Sequence, residues 1–137
     1  MRLKLRLLCI ALLAAAGCAD SPSDAWEGKD YRYDFMKVCR CITPLRTPVT
    51  IFVHDGRVVH VVNRTNGQSV ANTAEEPFPT IEDLIEEIAR ARRNGLKVTV
   101  RYDEELDYPT YIELGTIADD SGFAYTAENL QYGTFQK

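Results

Sequence analysis

The residues best equipped for chemistry are cysteines. Of the four in the chain, Cys39 and Cys41 flank Arg40 within YRYDFMKVCRCITP, and Cys18 closes the run LLAAAGC near the start. Two thiols one residue apart can form a bridge, stay as packed thiols, act as a redox or intermolecular pair, or give two ligands to a metal. Residues i and i+2 of a regular strand lie about 6.6 Å apart at Cα, near the upper edge of disulfide spacing, so a bridge needs a bend at Arg40. So small a ring gains only ~1.5 kcal/mol of loop entropy. Strain can consume that gain, and a strained bridge is more readily reduced. A closed zinc site wants four ligands, usually with two to four residues between the cysteines. His60 would have to join Cys39 and Cys41, and a histidine on an apolar face is more often packed than ligating. A structural bridge is therefore the leading expectation, ahead of packed thiols, then a redox or intermolecular pair, and lastly a metal clip.

Other groups offer less. Ser69, Ser121, His54 and His60 fit no nucleophile elbow or triad spacing. His54 adjoins a turn signal and is expected in solvent. Glu104, Glu105, Asp107, Asp119 and Asp120 could offer oxygens to a weakly held calcium ion, but without regular loop spacing they read as solvated turns. Glu86 and Arg90 are spaced as a helix-surface pair. Asn63-Arg64-Thr65 fits a glycosylation pattern that has no role in a bacterial chain. No catalytic residue, cofactor or resident metal is expected.

The start of the chain bears on where any of this chemistry would happen. Arg2, Lys4 and Arg6 precede an apolar run from Leu7 to Ala16, too short to span a bilayer as a finished helix. Ala15-Ala16-Gly17-Cys18 then has the layout of a lipobox, with Ala where Leu is usual at its first position. Residues 1–17 are expected to be a signal peptide, removed together with Cys9, leaving Cys18 lipidated as the new first residue. The alternative is a plain secretory signal with Cys18 incidental. Several acyl chains together anchor stably where one does not. Ala19 rather than Asp after the lipidated cysteine matches the outer-membrane address of enteric lipoproteins. In that exported, oxidising setting free thiols seldom persist unprotected, which is what favours a bridge.

Cleavage would take away three basic and no acidic side chains, moving the net charge from −4 to −7. That balance argues against nucleic acid and against electrostatic adhesion to an anionic bilayer. The remaining 120 residues suit a single domain with one core. Residues 18–29 read as a polar tether and 30–137 as the domain. Trp26, inside the tether, is expected to lid the domain's edge rather than dip into the membrane.

The domain alternates between periods of two and of 3.6. Tyr31, Tyr33, Phe35, Cys39 and Cys41 fall on one face of a strand and Arg32, Asp34 and Arg40 on the other, with the stem of Lys37 lying along the apolar side. Asp55-Gly56 within VTIFVHDGRVVHVVN signals a two-residue hairpin. It should pair His54 with Arg57, Val53 with Val58 and Ile51 with His60. Val49, Ile51, Val53, Val58, His60 and Val62 then form the core side, with Val59 and Val61 opposite. TIEDLIEEIARARRNG predicts a helix of about fourteen residues: Thr80 and Asp83 resemble a capping box, Ile81, Leu84, Ile85 and Ile88 make the apolar stripe, and Gly95 stops it. LKVTVRYD places Leu96, Val98, Val100 and Tyr102 inward, and TYIEL and FAYTAENLQY supply two more strands. The sum is α+β: an antiparallel sheet of five or six strands, with one helix inserted after the third and packed on one face.

Trp26, YRYDF, the Cys39-x-Cys41 pair, VHDGRVV, TIEDLIEEI, VTVRYD and YPTYIEL occur in an order that resembles a bacterial family known as domain of unknown function 6174, over residues 26–132. Members often have Gly before the Tyr-Pro pair where this chain has Asp107. The resemblance implies a secreted or lipid-anchored protein and supplies no activity. Together these readings favour a non-enzymatic, lipid-anchored envelope module that binds an envelope protein or a ligand. The alternative is a thiol-based redox or metal-handling protein acting through Cys39 and Cys41.

Overall fold

The computed structural model describes residues 26, 28–38, 47–116 and 122–135. Cys18, Cys39, Cys41, Asp119, Asp120 and Ser121 lie outside them, as do the predicted signal segment and most of the tether. The elements run β1 (Tyr31–Val38), β2 (Val49–His54), β3 (Arg57–Asn63), α1 (Ile81–Arg93), β4 (Val98–Tyr102), β5 (Pro109–Leu114) and β6 (Phe123–Tyr132). The strands form one antiparallel sheet in the order β3-β2-β1-β6-β5-β4. This is the expected α+β arrangement, with six strands and the helix after the third.

β1 lies inside the sheet, between β2 and β6, and its alternation is clean: Tyr31, Tyr33 and Phe35 are buried while Arg32 and Asp34 point the other way. Facing them, α1 buries Ile81, Leu84, Ile88 and Ala91. Each such aliphatic side chain larger than Ala contributes about 1.5–3 kcal/mol by leaving water. The helix starts where the sequence predicts. Thr80 Oγ1 accepts from the Asp83 amide at 3.1 Å and Asp83 Oδ2 accepts from the Thr80 amide at 2.8 Å, so Asp closes the box in place of Glu. Two tyrosine hydroxyls tie β1 to the helix start: Tyr31 donates to Glu82 Oε2 at 2.6 Å and Tyr33 donates to the Pro79 carbonyl. Trp26 is more than a lid at the edge. It is 2 % exposed and packs edge-on to Tyr31 and Tyr108 and flat on Tyr132.

Three bulges set which side chains face the core. In the β2–β3 hairpin, Asp55 and Gly56 have φ of 48° and 67°, and His54–Arg57 and Val53–Val58 pair as expected. Phe52, however, pairs with His60 and Ile51 with Val61, which leaves Val59 as an extra residue. One inserted residue turns every later side chain to the opposite face. Val61 is therefore buried at 1 % exposure, and the expected core positions His60 and Val62 point away from the helix. On β6 the extra residue falls between Gln131 and Glu128, where Asn129 takes φ 53° and donates to Asp34 Oδ2 at 2.9 Å. On β5 it is Thr110, whose hydroxyl donates to the Arg101 carbonyl at 3.2 Å.

The β4 expectation holds in part. Val98 and Val100 pack on the core, but Leu96 is 52 % and Tyr102 45 % exposed. Leu96 belongs to the turn closing the helix, its amide bonded to the Ala91 carbonyl, and Tyr102 sits past the Thr110 bulge on an edge strand.

The sheet thus has a helix face and an outer face. The outer face carries half-buried residues, among them Arg32, Asp34, Thr50, Phe52, His60, Val62 and Tyr111. Among the described residues no helix covers it. The segment after β6 returns across it instead: Phe135 meets Phe52 edge-on at 5.7 Å, and the Arg32 guanidinium lies 4.9 Å from the Phe135 ring.

Candidate functional site

The β3 bulge and the returning C-terminal segment together make a groove on the outer face. Phe52, Val59, His60, Val62 and Phe135 line a space of about 510 Å³ at the end of the sheet where β1 begins and β2 and β6 finish. The Phe52 and His60 rings lie 5.7 Å apart, tilted by 42°. His60 reaches this wall only because Val59 is the extra residue. With the regular register it would sit among the core aliphatics.

One ionisable pair marks the rim. Asp30 Oδ2 lies 2.9 Å from His54 Nδ1, and Asp30 Oδ1 accepts from the Asp55 amide at 3.2 Å. The hydrogen bond from His54, followed by that from the Asp55 amide, holds the Asp30 carboxyl below its ordinary range. The pair fastens the hairpin turn to the start of β1. His54 is 65 % exposed, as a solvated histidine should be, but it is oriented by a carboxylate. Its partner here is that carboxylate and not a nucleophile. Beside the groove, Asp34 accepts from Thr50 Oγ1 at 2.7 Å and from Asn129, and pairs with Arg64 at 3.3 Å. Bidentate donation from Arg32 to Gln131 Oε1, at 3.0 and 2.6 Å, fixes the guanidinium that faces Phe135.

The other predicted residues do not meet here. Cys18, Cys39 and Cys41 fall outside the described residues, so the triplet's state rests on the sequence alone. His60 faces away from the side of Tyr31, Tyr33 and Phe35. Glu104, Glu105 and Asp107 are exposed in the β4–β5 turn, and Ser69 is exposed beside β3. Among the described residues no three His, Cys, Asp or Glu side chains gather to hold a metal. Arg90 pairs with Glu87, at 3.9 Å, rather than with Glu86. Lys37 lies with its ammonium 5.1 Å from the Phe123 ring, its stem along the apolar side as expected. The sequence reading missed Phe52 as a wall and Phe135 altogether. Phe135 follows a glycine and a threonine beyond the last alternating segment, with no local pattern to place it.

The groove therefore offers aromatic and aliphatic walls with polar groups at one rim, the usual composition of a site for an apolar ligand. Among the described residues no helix is long and apolar enough to cross a membrane. Comparison with curated proteins and with solved structures returns no match. Residues 24–132 match the model of a family described as "Family of unknown function (DUF6174)", and the chain belongs to that family.

Proposed function

We propose that this protein is an exported bacterial lipoprotein, anchored through Cys18, whose folded domain is a non-enzymatic binding module with the Phe52–His60–Phe135 groove as its ligand site. The groove is the observation that supports the binding reading: Phe52, Val59, Val62 and Phe135 give a solvent-open space apolar walls, with Asp30 and His54 at its rim. The location rests on the basic start, the short apolar run and the small residues before Cys18. Thiol chemistry at Cys39 and Cys41 is the second reading, favoured by their spacing in an exported chain.

Mass spectrometry of the protein from its native membrane tests the first part: the N-terminal peptide should begin at Cys18 and carry acyl mass. A peptide beginning at Met1, or at another residue without lipid, ends that reading. The same spectrum shows whether Cys39 and Cys41 differ from their reduced mass by two hydrogens. Titration with anilinonaphthalene sulfonate tests the groove. Saturable fluorescence enhancement that Val59→Glu removes is expected, and enhancement unaltered by that change rules the groove out.

A further inference from the structure

The groove opens at the end of the sheet from which the tether leaves. Trp26 is clamped there by Tyr31, at the start of β1, and by Tyr132, at the end of β6. The groove is bounded by Asp30, by the end of β2, by the start of β3 and by the stretch from Gly133 to Phe135. The Gly133 amide bonds to the Asp30 carbonyl at 3.0 Å, joining the two sites at this end of the sheet. Cys18 and Trp26 are eight peptide steps apart, which spans at most about 28 Å stretched and about 15 Å as a flexible chain. A domain of this size has a radius of gyration of about 13 Å. A lipid on Cys18 therefore keeps this end of the sheet within one domain radius or so of the bilayer.

We propose that the groove takes one acyl chain of a bilayer phospholipid and so docks the hairpin end of the sheet on the membrane that holds Cys18. The proposal deepens the binding reading above and rests on Cys18 being the anchor. Tethering makes membrane lipid the apolar ligand at by far the highest effective concentration. The shape fits: a space of about 510 Å³, open to solvent and walled by Phe52, Val59, Val62 and Phe135, has room for an extended apolar chain. The surround fits as well. Val59, at the mouth, is 48 % exposed; at the same end but on the helix side of the sheet, Tyr132, stacked on Trp26, is 45 % exposed with the Lys29 ammonium 5.4 Å from its ring. Aromatic rings and snorkelling lysines suit the depth of the headgroups. Lys29 and Arg57 offset Asp30 and Asp55, so the acidity of the chain as a whole is not concentrated where phosphates would lie.

The test uses the full lipidated protein in vesicles of phosphatidylethanolamine and phosphatidylglycerol, doped with a phospholipid bearing a diazirine near the end of one acyl chain. After irradiation and digestion, cross-links are expected on peptides holding Phe52 to Val62 and Phe135. Val59→Glu should lower that yield at least about tenfold, since a carboxylate at the mouth must be desolvated. Phe135→Ser, on a residue outside the sheet, should do the same with the melting temperature kept. A lipidated N-terminal peptide with an unlabelled groove overturns the proposal alone. So does a yield indifferent to both variants. An N-terminal peptide without lipid overturns the anchor, and the proposal with it.

Discussion

Tyr31 and Glu82, 51 positions apart, share a hydrogen bond of 2.6 Å that joins the middle of the sheet to the first turn of the helix. The same hydroxyl accepts from the Ile81 amide at 2.8 Å, one of the donors that a helix start leaves without an internal partner. Glu82 Oε1, the other carboxylate oxygen, is buried with no hydrogen-bond partner among the described residues. Tyr31→Phe would then leave a buried amide and both carboxylate oxygens unsatisfied. We expect a loss of about 2–3 kcal/mol, because orphaning buried groups costs more than the bond itself contributes. Urea denaturation at neutral pH measures it, and a loss below about 0.5 kcal/mol would mean that the hydroxyl is not holding the helix start.

Trp26 gives a second prediction. It is the only tryptophan of the chain, so its fluorescence reports one site. Buried at 2 % exposure among Tyr31, Tyr108 and Tyr132, it should emit at short wavelength and resist iodide, with or without vesicles. Trp26→Ala should cost about 3–5 kcal/mol, most of the stability of a small domain. Emission that is red-shifted in solution and blue-shifted only on vesicles would place this residue in the membrane and not in the core.

Local patterns made the helix, the β1 alternation and the Asp55-Gly56 turn legible, since caps, periodicity and turn chemistry all act over a few neighbouring residues. The turn specifies only the pairs next to it. Nothing in RVVHVVN marks Val59 as the extra residue, because every residue from Val58 to Val62 except His60 is a valine and either register buries two of them. His60 was consequently expected in the core. The groove is less legible still. It exists because a segment after β6 crosses β1 to reach Phe52 on β2, a contact between distant parts of the chain that no window contains. Leu96 and Tyr102 misled for a related reason: alternation tells inside from outside, but not how far the helix's cover extends.

The β4–β5 turn yields a third prediction. Asp107 has φ 52°, a conformation that costs most side chains about 1–2 kcal/mol and glycine nothing. Its amide donates to the Asp103 carbonyl at 3.1 Å, and the Asp103 carboxylate accepts from the amides of Glu105 and Leu106. Asp107→Gly should raise stability by up to about 1 kcal/mol, with the entropy of the unfolded chain offsetting part of the relief, whereas Asp107→Val should lower it by about 1–2 kcal/mol. Paired thermal melts decide it, and a Val variant as stable as the parent would refute the left-handed turn.

The tyrosines of the core predict how stability changes in alkali. Burial, with the carboxylate of Glu82 adding to it, holds the Tyr31 hydroxyl well above the ordinary tyrosine range. Burial does the same for Tyr33, and for Tyr125 with help from Glu87. Below about pH 10 these three phenols keep their protons in both folded and unfolded chains, so their contribution is fully present. Above it the unfolded chain releases protons that the folded one retains. Stability therefore falls with rising pH, at a slope of about 1.4 kcal/mol per pH unit for each phenol so held. Urea midpoints between about pH 9 and pH 11.5 should show that decline, and the share of phenolate absorbance that belongs to these three residues should appear only with unfolding. Tyr33→Phe should flatten the slope by about one phenol's share even where it lowers stability at neutral pH. A slope left unchanged by that substitution would mean that Tyr33 titrates freely, and that its bond to the Pro79 carbonyl does not close off the helix start.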